Sequence, residues 1–189
     1  DALRRCEATA RRRAAWRAFD VEPHEYVLAS LHLEETVGDP QRLGEIVEGL
    51  EPLVEQGPVL LALHPASVDA ELPPLGEIRP VPALGYLDFL SLQLGAGAVV
   101  TDSGGVQEET TALGVACFTL RTATERSVTL THGTNTLLGD DPADLVAVRP
   151  ARRPPTPCAI PLWDGHAGQR TATTLLAHYT LSRNAGMGG

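Results

Sequence analysis

The chain has 189 residues, 43% of them hydrophobic, and a formal net charge of −9. That is room for one well-packed domain and too little for two of ordinary size, and the acidic balance speaks against general binding to nucleic-acid phosphates. No apolar run approaches the ~18 residues needed to span a bilayer, and Cys6, Cys117 and Cys158, odd in number and without a CxxC pair, fit free thiols in a reducing compartment.

Residues 2–18 read as a helix with arginines on most of its surface and Leu3, Ala14, Ala15 and Trp16 available for packing. The chain starts inside this helix and has no leader-like apolar region, so it reads as part of something larger. All 15 basic residues are arginine, a bias of GC-rich genomes that suggests a bacterial source. The run Arg11-Arg12-Arg13 reads as a solvated face. Tyr26 to His32 is a short apolar run with a polar end, expected as a buried parallel strand. A helix is expected from about Gln41 to Glu55, with Leu43, Ile46, Val47, Leu50 and Val54 at helical spacing. Val59 to His64 is the second apolar strand, followed by a Pro-rich loop to Gly76 and a short strand over 78–81. Leu84 to Leu94 reads as a helix, Ala98 to Asp102 as a strand, Gly104 to Leu113 as a helix and Val115 to Leu120 as a strand. Thr122 to Gly139 reads as a polar loop, 142–148 as a short helix and 150–161 as a Pro-rich crossing segment. Asp164 is expected to cap a last helix over about 166–182, with a disordered tail from Asn184.

Strands alternating with helices imply βαβ units and a parallel sheet, an α/β fold with helices on both faces. Ligands of such sheets bind at the carboxyl ends of strands. His32, His64, Ser103 and Arg121 all fall just past expected strand ends.

The most informative stretch is Val99-Val100-Thr101-Asp102-Ser103-Gly104-Gly105-Val106-Gln107-Glu108-Glu109. A β-branched run meets two glycines and then a helix. Glycines let the main chain approach a phosphate closely, and the helix N-terminus supplies partial positive charge. Glu109, about one and a half turns into the helix, can look back at a hydroxyl-bearing neighbour such as a ribose. On spacing alone, Ser103 is equally an ordinary N-cap and Gly104-Gly105 a tight turn needed for packing. Asp-Ser-Gly-Gly also matches the nucleophile segment of chymotrypsin-like proteases, but those are disulfide-stapled all-β proteins and a helical pattern follows here.

Several segments in order carry a resemblance: Ser30-Leu31-His32-Leu33-Glu34-Glu35, Ala62-Leu63-His64-Pro65, Leu84-Gly85-Tyr86-Leu87-Asp88-Phe89, Thr101 to Glu109, Leu120-Arg121 with Thr124-Glu125-Arg126, Gly133-Thr134-Asn135, and Pro161-Leu162-Trp163-Asp164-Gly165. Together they cover roughly residues 25 to 180, and the chain resembles the C-terminal half of the non-hydrolysing UDP-N-acetylglucosamine 2-epimerases. The resemblance implies that the whole of residues 1–189 is a Rossmann-like, UDP-binding domain, the C-terminal half of a glycosyltransferase-B-like fold. It implies contact of His32 with the diphosphate region at the active site, and phosphate binding by Ser103, Gly104 and Gly105. Glu109 would hold ribose hydroxyls, Phe89 would lie near uracil, and Arg121 would belong to the substrate site. His64 would belong to a neighbouring site where some members bind a second, activating substrate molecule.

The implied partners are UDP and a UDP-N-acetylhexosamine, an N-terminal domain carrying the acid/base carboxylates, and a second copy in a homodimer. No metal or redox cofactor, nucleic acid or membrane is implied, and the setting is cytoplasmic synthesis of cell-surface polysaccharide. By itself this chain is expected to be inactive. Leu33 and Thr36 stand where the family has arginine and asparagine, and Ser127 and Val128 replace Pro-Glu. Those departures bear most on the activating site. The alternatives are a glycosyltransferase domain of the same architecture and a non-catalytic module that binds sugar nucleotides.

Overall fold

The computed structural model describes residues 1–32, 38–63, 72–153 and 156–186. Its frame is a six-stranded sheet in the order β3-β2-β1-β4-β5-β6, all pairs parallel. The strands are β1 (Val27–Leu31), β2 (Val59–Leu63), β3 (Arg79–Val81), β4 (Ala98–Thr101), β5 (Cys117–Thr119) and β6 (Asn135–Leu137). The helices are α1 (Ala2–Arg13), α2 (Pro40–Leu50), α3 (Tyr86–Gly95), α4 (Gly104–Leu113), α5 (Ser127–Thr131) and α6 (Ala167–Gly186).

Strands β1, β2 and β4 are apolar because both of their faces are covered. Alternate residues Val27, Ala29 and Leu31 of β1 join Leu43, Ile46, Val47 and Leu50 of α2 in one core layer. Leu28 faces the other way, with Leu60, Val99, Leu90, Leu92, Val106 and Leu113. Each fully buried leucine contributes roughly 1.5–3 kcal/mol, so these two layers fix the strand order around β1.

α2 starts where the sequence marks a start. Asp39 accepts hydrogen bonds from the N–H groups of Gln41 and Arg42 at 2.9 and 3.4 Å, and Pro40 opens the helix. The α-helical part stops at Leu50, five residues short of the expected end, and continues as a 3₁₀ segment over Glu51–Gln56. Pro52 has no N–H to donate back along the helix, so the chain tightens there.

Three sequence expectations are corrected. The first helix breaks at Ala14, in the left-handed region at φ 47°, and a 3₁₀ turn covers Ala15–Phe19. Packing against α3 causes the break: the Ala15 N–H donates to Ser91 Oγ at 3.0 Å, and the Trp16 ring lies where a Cβ on Gly95 would be 2.6 Å away. The stretch expected as a polar loop contains α5 and the edge strand β6, the latter in register with β5 through Cys117–Asn135 and Thr119–Leu137. The last helix runs to Gly186, past the expected start of a loose tail, and residues 187–189 lie outside the described residues. At its start, Asp164 accepts from the His166 N–H, but the helix's own first N–H groups, on Ala167 and Gly168, donate to the Asp1 carboxylate at 3.0 and 2.6 Å.

α4 matches its expected bounds, and its end carries a testable constraint. Gly114 adopts φ +79° and donates its N–H to the Thr110 and Thr111 carbonyls. A Cβ there would overlap the Thr156 carbonyl of the crossing segment. Gly114→Ala therefore meets both left-handed strain of about 1–2 kcal/mol and a backbone clash. The expected loss is above ~2 kcal/mol, or at least ~4–8 °C in Tm for a chain of this size. An unchanged melting curve would show that the crossing segment gives way freely.

Candidate functional site

β1 and β4 are neighbours, yet β1 leads on to β2 on one side and β4 to β5 on the other. This is the switch point where a parallel sheet opens a crevice at its carboxyl edge. Register pairs Ser30 with Thr101, so His32 and Ser103 emerge side by side. Thr101 ties the two strand ends together: its hydroxyl donates to the Ser30 carbonyl at 2.8 Å and accepts from the Ser103 N–H at 3.1 Å. Asp102 is fully buried and accepts from the His32 N–H, at 2.9 Å to Oδ1 and 3.2 Å to Oδ2. His32 Nδ1 lies 3.2 Å from Ser30 Oγ, and its ring meets Phe89 edge-on with centroids 6.1 Å apart. The sequence assigns Asp102 only to the strand; here it fixes the backbone that presents His32.

Ser103 occupies the N-cap position of α4, but its hydroxyl makes no capping bond. The helix's first N–H groups have no partner within the helix. The two glycines differ. A Cβ on Gly104 would lie 2.7 Å from Glu125 Oε1 and 3.2 Å from Arg126 Nε, so that residue is covered by side chains. A Cβ on Gly105 would meet only Ser103 Oγ, at 3.8 Å. Gly105 instead lines a cavity of about 420 Å³ with Glu109 and Trp163. Gly105, not Gly104, is the open approach.

Glu109 is one turn beyond Gly105 on the same helix face. One of its oxygens accepts from the Tyr86 hydroxyl at 2.9 Å and the other from Gln93 Nε2 at 2.7 Å. Burial first, and then the neighbouring Glu109 charge, push the Tyr86 hydroxyl well above the ordinary tyrosine range. Tyr86, Phe89 and Gln93 follow each other at helical spacing on α3. Tyr86 also helps wall a second cavity of about 290 Å³ lined by His32, Pro82, Leu84 and Phe89. The structure thus brings His32 together with Phe89, and Gly105 together with Glu109, with Tyr86 between the two groups. The sequence reading assigned no role to Tyr86 or Gln93; their i, i+7 spacing was the signal available.

Arg121 stands at the surface beyond β5, its NH1 3.3 Å from Glu125 Oε2, and reaches the α4 N-terminus only through that carboxylate. Arg126 pairs with Glu108 at 3.3 Å and with Glu125 at 3.5 Å. The Glu125 carboxyl is held below its ordinary range by a backbone hydrogen bond first, then by Arg121 and Arg126. Ahead of α6, the Asp164 carboxyl is lowered to about 2 by Arg170 and the His166 N–H. His64, Leu33 and Thr36 lie outside the described residues. Among the described residues no cluster of His, Cys, Asp and Glu is placed to hold a metal ion. No described helix is long and apolar enough to cross a membrane.

The family model for UDP-N-acetylglucosamine 2-epimerase matches residues 1–176. The UDP-N-acetylglucosamine 2-epimerase of Methanocaldococcus jannaschii is 35% identical over 162 residues, covering 80% of this chain and 44% of the relative. The UDP-2,3-diacetamido-2,3-dideoxy-D-glucuronate 2-epimerase of Pseudomonas aeruginosa is 40% identical over 117 residues, covering 60% of this chain and 33% of that protein. A crystal structure of the Methanocaldococcus jannaschii enzyme in complex with UDP-GlcNAc and UDP superposes with a TM-score of 0.70 at 29% identity, over 90% of this chain and 51% of that one. The chain therefore spans about half the length of that structure and less than half of either curated relative. Over the part it spans, the fold, the switch-point crevice and the matched sequence agree, and the chain belongs to the UDP-N-acetylglucosamine 2-epimerase family.

Proposed function

We propose that this chain is the UDP-binding half of a UDP-N-acetylglucosamine 2-epimerase that interconverts UDP-N-acetylglucosamine and UDP-N-acetylmannosamine. The observation that carries the reading is the uncapped N-terminus of α4, opening through Gly105 onto the cavity that also holds Glu109. The diphosphate sits at Ser103, Gly104 and Gly105, within reach of His32. Glu109 accepts from the ribose diol, and uracil lies toward Phe89 and the wall formed by Pro82 and Leu84. Arg121 supplies positive charge at the phosphate end. His64 belongs to the activating site, if that site survives the loss of the family's arginine at Leu33.

The reaction eliminates UDP to give a 2-acetamidoglucal and adds it back after inversion at C2. As the C1–O bond breaks, negative charge grows on the departing diphosphate. Fixed N–H donors and the dipole of α4 stabilise that charge without reorganising. The carboxylates that move the C2 proton lie in the half beyond this chain, so the chain alone binds UDP without turnover. The wider setting is cytoplasmic, bacterial, and directed to cell-surface polysaccharide, with a homodimer as the assembled form. The Pseudomonas aeruginosa relative supports one variation, a 2-acetamido sugar bearing further groups, because the nucleotide half need not discriminate there.

Titration calorimetry with UDP and uridine tests this reading. UDP should bind at least ~10-fold tighter than uridine, the least expected from one charge-assisted bond to phosphate. Equal affinities, or no binding of either, would remove the nucleotide site from this chain.

A further inference from the structure

We propose that Arg13 of α1 is a positioning residue for ribose recognition: paired with Asp88, it holds the first turn of α3 so that Tyr86 keeps the Glu109 carboxylate aimed at the diol. This rests on the reading of Glu109 given above, and it places a determinant of nucleotide affinity on a residue that lines neither of the two cavities.

α3 is held unevenly along its length. Its later turns have buried anchors. The fully buried Ser91 accepts from the Ala15 N–H at 3.0 Å, the Leu92 carbonyl accepts from the Tyr26 hydroxyl at 2.6 Å, and the Trp16 ring closes over Gly95. The first turn has none of these. Its cap is Gly85, which has no side chain to bond the turn, and Tyr86 is the residue that follows it. Tyr86 is 43% exposed, so packing does little to fix its ring. Where its hydroxyl meets Glu109 depends on where the helix backbone stands.

Asp88 supplies the missing anchor. As the third residue of the helix it could reach back to the cap N–H, as acidic side chains at that place commonly do. Instead both of its oxygens accept from Arg13: Oδ1 from Nε, and Oδ2 from NH2 at 2.8 Å. A two-bond fork of this kind fixes direction as well as distance. Arg13 is the last residue of α1, and the chain turns left-handed immediately after it, at Ala14. The next two residues, Ala15 and Trp16, are those that grip Ser91 and Gly95. The Arg13 backbone is thus set against α3 independently of the ion pair, and its guanidinium reaches Asp88 from a fixed base. The pair lies at the surface, where ion pairs add little to stability, so its effect is one of placement. Without it the first turn of α3 frays, and the Tyr86 hydroxyl leaves Glu109 Oε1 while Gln93 keeps Oε2.

The test is calorimetry on the full chain with UDP and its 2′,3′-dideoxy analogue. Arg13→Ala should weaken UDP about 3- to 10-fold, the worth of one loosened hydrogen bond, and leave the analogue within ~2-fold. Arg13→Lys keeps the charge without the fork and should recover part of that loss. Asp88→Asn should repeat the effect of Arg13→Ala, and the double variant should lose no more than either single one, because both remove the same pair. In a Tyr86→Phe background, which has no hydroxyl to place, Arg13→Ala should add less than ~2-fold. Equal losses for the two ligands, or an unchanged UDP affinity in Arg13→Ala, overturn the proposal. So does a full effect of Arg13→Ala in the absence of the Tyr86 hydroxyl. Arg13 is an exposed side chain whose removal leaves the buried anchors of α3 in place, so these outcomes are read on folded protein. A wild-type chain that binds UDP no more tightly than the analogue would instead sink the ribose reading of Glu109.

Discussion

Glu109→Ala should weaken UDP binding about 10- to 150-fold, the equivalent of roughly 1.5–3 kcal/mol for hydrogen bonds to a charged group. The carboxylate is already oriented before ligand arrives, since Tyr86 and Gln93 each hold one oxygen. Preorganisation of this kind reduces the ordering cost of binding. It also means that the substitution harms the free protein. Gln93 is fully buried, its Oε1 already has no partner among the described residues, and Glu109→Ala would orphan its Nε2 as well. That alone costs ~1–3 kcal/mol of stability, so a drop in Tm is part of the expected result. Affinity must therefore be compared between UDP and its 2′,3′-dideoxy analogue, measured on folded protein by calorimetry. Loss of the diol contact weakens UDP and spares the analogue, whereas distortion of α3 against α4 weakens both. Equal losses, or none, would take Glu109 out of the ribose site.

How far the sequence disclosed this arrangement depends on the kind of signal. β1, β2 and β4 are continuous apolar runs between turn residues, and α4 is framed by Ser103 and Gly114, so their positions were legible to within a residue or two. β6 was not. Asn-Thr-Leu has neither apolar alternation nor length, and it is a strand only because β5 offers its free edge. The break at Ala14 was equally hidden, since alanine is a strong helix former and only the contact with Ser91 and Gly95 opposes it.

The site shows the same division. The backbone part, from Thr101 to Glu109, could be read because glycines and a helix start have local signatures. The side-chain part could not. Asp102, Tyr86, Gln93, Gln107 and Asn135 act through partners 16 to 70 residues away in sequence. A buried polar group leaves no periodic trace, because its partners are set by the sheet order and not by spacing along the chain. The family motifs contained Tyr86, Asp102, Gln107 and Asn135, but a motif names a position without saying what it bonds to.

The two glycines of the turn offer the sharpest separation of structure from binding. Gly105→Val should reduce UDP affinity by ~100-fold or more while leaving Tm within a few degrees. The fold tolerates a side chain at this point, since a Cβ meets only Ser103 Oγ at 3.8 Å, and replacing a helical glycine commonly favours the helix by up to ~1 kcal/mol. The ligand does not tolerate it: the new methyl groups stand in the cavity beside Glu109, where a phosphate must come within about 3 Å of the main-chain N–H groups. Losing two such charge-assisted bonds at ~1.5 kcal/mol or more each accounts for the size of the effect. Gly104→Ala should behave differently. Its Cβ presses on Glu125 Oε1 and comes within 3.2 Å of Arg126 Nε, both on long side chains at the surface that can shift by a few tenths of an ångström, so both stability and affinity should change little. Calorimetry and thermal melts on the two variants, with Glu125→Ala added to Gly104→Ala to relieve the contact, read the difference directly. If Gly104→Ala abolished UDP binding and Gly105→Val did not, the phosphate would have to approach α4 from the side that Arg126 and Glu125 cover, and the cavity beside Glu109 would not be the nucleotide's entrance.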